Sequence, residues 1–247
     1  MGGLAAPGTG AGVFDGIDLD WEWPGSSGND GNVIRPEDRR NFTLFVTELR
    51  RQMDELDRRS ELTAFLPAAV AKIDAGFEVR DVFKQLTFAT VQGYDLHGSW
   101  ENRTGHNANL LTDRRDPNPV KYSVDQTVRD YLSRGAPARK LVVGVPAYGQ
   151  GWTGVTGGRN GLYGTWAAGS DDYKNLVNKP GRRYRDLLTG SVWIYDGNEF
   201  WSYDDPATLL QKAAYIRLRG LGGSMMWSID QDDAKASLTS ALYGVLR

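Results

Sequence analysis

Residues 14–24 read Phe-Asp-Gly-Ile-Asp-Leu-Asp-Trp-Glu-Trp-Pro, and the period of two in this run favours an extended strand. Asp18, Asp20 and Glu22 alternate with Ile17, Leu19 and Trp21. Successive side chains of a strand point to opposite faces, so three carboxyl groups are expected on one face with the apolar set packed behind. Neighbours in such a row stand about 7 Å apart. Carboxylates that close resist ionising together, so at least one pKa is expected to rise. A carboxylic acid that keeps its proton near neutral pH is what acid catalysis requires. Asp15 and Trp21 have the opposite parity and are expected to be structural.

Other uses of this run fit less well. A calcium loop would read Asp-x-Asp-x-Asp-Gly with a Glu at its twelfth position. Here Trp23-Pro24 follows, and the residues between the acids are bulky and apolar. An exposed acidic edge strand rarely carries Ile, Leu and two Trp.

The chain has 247 residues, close to the roughly 250 of one α/β barrel. A net charge of −2 gives no electrostatic pull toward nucleic acid or anionic lipid. No apolar run approaches the roughly 20 residues of a membrane span. The absence of cysteine excludes disulfides, thiolate catalysis and thiolate metal sites. His97 and His106 alone cannot build an ordinary zinc site, and each is expected to have a surface or hydrogen-bonding role. Carboxylates are the reactive groups that remain. Residues 1–12 are rich in Gly and Ala and lack the charged start and apolar middle of a signal peptide, so a loose lead-in is expected there.

Further along, strand-like and helix-like stretches alternate. Strands are expected over 13–21, 62–67, 87–94, 140–148 and 222–229, and helices over 37–57, 77–85, 123–134, 206–219 and 232–246. In the first helix Phe42, Phe45, Val46, Leu49, Met53 and Leu56 form a core-facing stripe. Ser123 is the expected cap of the third. Such alternation predicts a parallel sheet with crossover helices. The chemistry-bearing segments fall at strand ends, where barrel enzymes place their sites.

Asp15-Gly16-Ile17-Asp18-Leu19-Asp20-Trp21-Glu22 resembles the signature of family 18 glycoside hydrolases, the chitinases and their relatives. Gln92-Gly93-Tyr94-Asp95 is similar to that family's second motif, usually Met-x-Tyr-Asp. Gly144 to Trp152 resembles the third, usually Gly-x-Pro-x-Tyr-Gly-Arg. Ser202-Tyr203-Asp204-Asp205-Pro206 and Gly222 to Trp227 resemble the last two.

The resemblance implies an α/β fold: an incomplete TIM-type barrel of about five parallel strand-helix units, from residues 1–149 and 206–247. The acidic strand is the family's fourth of eight, so the first three units lack counterparts here, and copies of the chain are expected to associate through the open side. Residues 150–205 resemble a small α+β insertion domain of one bacterial chitinase subgroup. Its ten aromatic residues are expected to form mostly a core, with two or three touching sugar.

The same resemblance implies a chitinase, acting on chitin or N-acetylglucosamine oligomers without cofactor or metal, and exported from the cell. Glu22 is then the acid, and Asp20 holds the substrate acetamido group and stabilises an oxazolinium ion. Asp18 tunes Asp20, and Tyr94 orients the acetamido group. Asp95, Gln92, Tyr148, Trp227, Trp100, Gln150 and Trp152 would bind substrate. Gln92 stands where Met is usual, and Gln150 where Arg is usual, which removes one charged contact to substrate. Three other readings are an endo-β-N-acetylglucosaminidase acting on N-glycans, a chitin-binding lectin and a carboxylate metal module. The lectin is disfavoured because Glu22 is present, and the metal module because loop chemistry is missing.

Overall fold

A computed structural model describes residues 13–28, 30–55 and 60–247, with only the backbone described at 166–168. The expected lead-in at 1–12 lies outside the described residues.

The first half builds a parallel sheet. Strand β1 (Gly16–Leu19) is followed by α1 (Asp38–Asp54), β2 (Glu61–Leu66), α2 (Val70–Gly76), α3 (Val79–Gln85), β3 (Phe88–Val91), α4 (Val124–Ser133) and β4 (Leu141–Pro146). A second unit then intervenes: β5 (Tyr148–Thr156), β6 (Thr165–Asp172), α5 (Tyr173–Leu176), β7 (Arg182–Asp186), β8 (Ser191–Tyr195) and β9 (Phe200–Tyr203). Helix α6 (Pro206–Arg219) returns the chain to the first sheet as β10 (Gly223–Trp227), and α7 (Ser237–Leu246) closes it. The parallel sheet has the order β1-β2-β3-β4-β10, and the second sheet is antiparallel with the order β6-β5-β9-β8-β7.

Burial explains the pairing. On β2 the side chains of Leu62, Ala64 and Leu66 face the helices and are buried, while Thr63 and Phe65 take the other face. In α1 Phe42, Val46, Leu49 and Met53 are buried, the four-three-four spacing of one helical face. Phe45 departs from the expected stripe: it lies about 100° round the axis from Val46 and is exposed. Leu56 lies outside the described residues. One core joins the sheet and its helices, and a smaller cluster of Trp152, Val155, Leu162, Trp193 and Phe200 sits within the second unit.

Several expected boundaries shift. The acidic strand ends at Leu19 rather than Trp21, because pairing with β2 stops at Leu19–Ala64 and Trp23 turns into the core. The expected 87–94 strand stops at Val91, leaving Tyr94 and Asp95 beyond it. Helix α2 falls in a stretch between the expected 62–67 strand and 77–85 helix, where the pattern predicts no element. The predicted 232–246 helix starts at Ser237, because Asp232 accepts hydrogen bonds from the amides of Leu238 and Thr239 and serves as the preceding cap. The antiparallel sheet begins at Tyr148, two residues before the expected insertion.

Local chemistry fixes the junctions. Ser123 caps α4 by accepting from Gln126 N at 3.1 Å. Asp205 and Thr208 form a reciprocal capping box on α6, which starts with Pro206 and ends at Gly220 with φ +61°. Gly93 is required by a close approach: a Cβ there would stand 2.2 Å from the carbonyl oxygen of Gly144.

Candidate active site

One face of β1, β2, β3 and β10, with the segments that follow β1 and β3 and the start of β5, lines a cavity of about 520 Å³. Asp18, Asp20, Glu22, Gln92, Tyr94, Asp95, Tyr148 and Trp227 all line it, together with Thr63, Phe65, Phe88, Thr90 and Met225. A second cavity of about 640 Å³ adjoins it, with Trp23, Lys72, Trp100, Glu101 and Tyr122 in its wall. Glu22, Gln92 and Asp95 line both, so they mark the divide of one continuous groove.

The three acids reach the groove without forming a single strand row. Asp18 belongs to β1 and accepts a hydrogen bond from the Thr63 hydroxyl, its partner in register on β2. Asp20 and Glu22 lie in the turn that follows, where the Glu22–Trp23 peptide bond is cis. Trp23 is buried against Phe65, with ring centroids 5.7 Å apart, and Asn32 Nδ2 donates to the Glu22 carbonyl at 3.0 Å. These contacts place the Glu22 carboxyl between the two cavities.

Burial pushes the Glu22 pKa up to about 7, aided by a hydrogen bond with Asp20 and by its charge, while Lys72 acts in the opposite direction. About half of the Glu22 carboxyl groups therefore keep their proton at neutral pH, against well under one in a hundred at the ordinary value. Burial, with Asp95 adding to it, raises the pKa of the Tyr94 hydroxyl, which stays protonated as a donor. Tyr94 is stacked on Phe65 at 5.7 Å and meets the edge of Tyr148 at 6.0 Å. The Tyr148 hydroxyl donates to Asp95 Oδ1 at 2.7 Å.

Trp227 ends β10, is 54% exposed and lines the first cavity. Trp100 is 62% exposed beside the second. Both suit the flat C–H faces of a sugar. Two expected binding residues fall elsewhere. Gln150 is 7% exposed and donates to Asp95 Oδ1 at 2.8 Å instead of facing the groove. Trp152 is 0% exposed and packs edge-on against Phe200 at 5.6 Å. It shares a strand face with Tyr148, but four residues of strand carry it about 13 Å away. None of the insertion aromatics whose side chains are described lines either cavity, which corrects the expectation that two or three would touch sugar.

The histidines are more buried than expected. His97 bonds Glu101 through Nδ1 at 2.7 Å and Asp116 through Nε2 at 3.2 Å. Burial opposes its charge, but Asp116 and Glu101 outweigh burial and hold its pKa up at about 9. His106 has no hydrogen-bond partner among the described residues, and burial lowers its pKa to about 4.

Sequence reasoning missed Thr63, Phe65, Phe88 and Thr90. A signal existed: they share parity within β2 and β3, the second run ending at Gln92. Lys72, Glu101 and Tyr122 carried no such signal, since helix α2 brings the first to the groove and loops bring the other two.

The sequence model of glycosyl hydrolases family 18 matches residues 8–232. The chain belongs to glycosyl hydrolases family 18. Among its relatives is Chitinase A1 of Niallia circulans, 36% identical over 246 residues, an alignment covering 90% of this chain and 35% of that protein. The catalytic domain of psychrophilic chitinase B from Arthrobacter TAD20 is 39% identical with a TM-score of 0.86, covering 99% of this chain and 60% of that one. A mutant of Ostrinia furnacalis Group II chitinase catalytic domain 2, solved in complex with penta-N-acetylchitooctaose, is 30% identical with a TM-score of 0.87, covering 95% and 67%. The chain thus spans about a third of Chitinase A1 and about three fifths to two thirds of these solved domains.

Proposed function

We propose that this chain hydrolyses β-1,4 linkages between N-acetylglucosamine units of chitin by a substrate-assisted retaining mechanism. The observation that carries the proposal is the half-buried Glu22, pKa about 7, at the divide of a groove with exposed tryptophans on either side. Family 18 departs from the two-carboxylate pattern in that the substrate supplies its own nucleophile.

Glu22 donates its proton to the glycosidic oxygen as that bond breaks. The acetamido carbonyl oxygen of the sugar in the first cavity attacks C1 and closes an oxazolinium ring. Asp20 accepts from the acetamido N–H and offsets the positive charge, with Asp18 behind it held by Thr63. Tyr94 donates to the acetamido group, and Asp95 binds beside it. Water then attacks C1 from the face the leaving group vacated, returning a proton to Glu22. Two inversions at C1 give net retention.

In this reading Trp227 supports the sugar being cleaved and Trp100 the departing one. The antiparallel sheet of β5 to β9 is read as the small α+β insertion domain of one chitinase subgroup, over residues 150–205. Chitin is an insoluble polymer, so the proposed work is extracellular. The test is the anomeric form of the first product from N-acetylglucosamine oligomers, followed by proton NMR within minutes of mixing. The β-anomer is expected ahead of mutarotation, and initial release of the α-anomer contradicts the mechanism.

A further inference from the structure

Asp95 adopts φ +51°, a left-handed conformation that few residues other than glycine enter, and it does so where the two cavities meet. Its amide donates to Asn107 Oδ1 at 2.8 Å, and the next amide, of Leu96, donates to the Asn107 carbonyl at 3.0 Å. The Asn107 amide in turn donates to Ser202 Oγ on β9 at 2.9 Å. Asn107 and Ser202 are both buried, away from the groove. Ser202 pairs in register with Gln150 on β5, and Gln150 Nε2 donates to the Asp95 carboxyl at 2.8 Å. The path closes on itself: the Asp95 backbone is held through Asn107 and Ser202, its side chain through Gln150, and both legs start from the same pair of strands.

We propose that Asn107, anchored by Ser202, is a positioning residue for Asp95, and that Gln150 is its counterpart on the carboxyl side. The antiparallel sheet then acts on the reaction without touching sugar, by fixing the backbone and the carboxyl of one groove residue. The role rests on the proposed function in one respect, that Asp95 contacts substrate.

A double-mutant cycle tests it, with a chitotetraose substrate. Asn107→Ala, Ser202→Ala and Gln150→Ala are each made in the wild-type and the Asp95→Ala backgrounds. In wild type each is expected to lower kcat/KM by about tenfold, the scale of one lost hydrogen bond. In the Asp95→Ala background each is expected to change kcat/KM by less than about twofold, because the group they position is gone. Equal falls in both backgrounds overturn the proposal and assign these residues to general stability. Should Asn107→Ala fail to fold, Ser202→Ala removes a single oxygen and carries the same cycle.

Crystal structures of the folded variants decide the question independently of activity. Displacement of Asp95 from its left-handed conformation, or of its carboxyl from Tyr148, supports the proposal, and an unmoved Asp95 in all of them overturns it. A wild-type chain that leaves oligomers intact contradicts the proposed function alone, and the crystal structures then decide the positioning role.

Discussion

The Asp20 carboxyl group hydrogen-bonds the Glu22 carboxyl group, and this contact adds to burial in holding a proton on Glu22 up to about pH 7. Lys72, across the second cavity, pulls the other way. The acid is thus set between two opposed neighbours, and each can be removed separately.

Activity is expected to fall as pH rises through about 7, where Glu22 loses its proton. Lys72→Met removes a charge that favours ionised Glu22, so the basic limb of the kcat/KM profile is expected to move to higher pH. Asp20→Asn removes the like charge and is expected to move the limb of the residual activity to lower pH, by about one unit. Two shifts in the same direction would contradict the geometry.

A second consequence concerns stability. Glu22 has a folded-state pKa of about 7 against an ordinary 4.5, so the native state binds more protons than the unfolded chain between those values. The contribution is fully present below pH 4.5 and is lost as pH rises through 7. Glu22→Gln carries no charge at any pH. It is expected to melt at a higher temperature than wild type at pH 8 and to match it near pH 4, as read by calorimetry at both pH values.

The tryptophans separate into two kinds. Trp152→Ala empties a fully buried site and is expected to cost about 3–5 kcal/mol of stability with little change in KM. Trp100→Ala removes an exposed ring from the groove and is expected to raise KM severalfold while the unfolding midpoint stays put. Denaturant unfolding and Michaelis kinetics on the same preparations check both.

Much of this was legible beforehand, and the reasons differ from residue to residue. Glu22, Asp20 and Tyr94 could be placed because short motifs at strand ends carry both the residue type and its direction. Parity along 14–24 correctly put Trp21 against the core, where it packs on Phe42 at 6.3 Å. The strand itself is shorter than the alternation suggested. Alternation reports which side a residue takes, while the length of β1 is set by where β2 offers backbone partners. Gln150 and Trp152 were misplaced for a related reason. Their motif is continuous in sequence, but β5 leaves the groove and enters a second core. The Asn107–Ser202 contact spans 95 residues of sequence and has no local pattern to betray it.

The Ser202 to Pro206 segment illustrates a motif whose residues are structural here. Asp204 forms an ion pair with Lys212, both almost fully buried, and accepts from the Thr208 hydroxyl at 2.8 Å, while Asp205 caps α6. Lys212→Met strands the Asp204 charge and is expected to destabilise the fold by about 3–5 kcal/mol. Asp204→Asn combined with Lys212→Met is expected to recover part of that loss. Equal stability of the single variant and wild type in urea unfolding would show that the pair carries no weight.

Glu22 is proposed as the acid of a chitin-cleaving groove. The most direct measurement is cleavage of N-acetylglucosamine oligomers by this chain and by Glu22→Gln, with binding followed in parallel by tryptophan fluorescence. Cleavage by wild type, a rate lower by about 10²–10⁴ in the variant, and binding retained in both are expected. Equal rates in the two proteins, or binding without cleavage by wild type, would contradict this role.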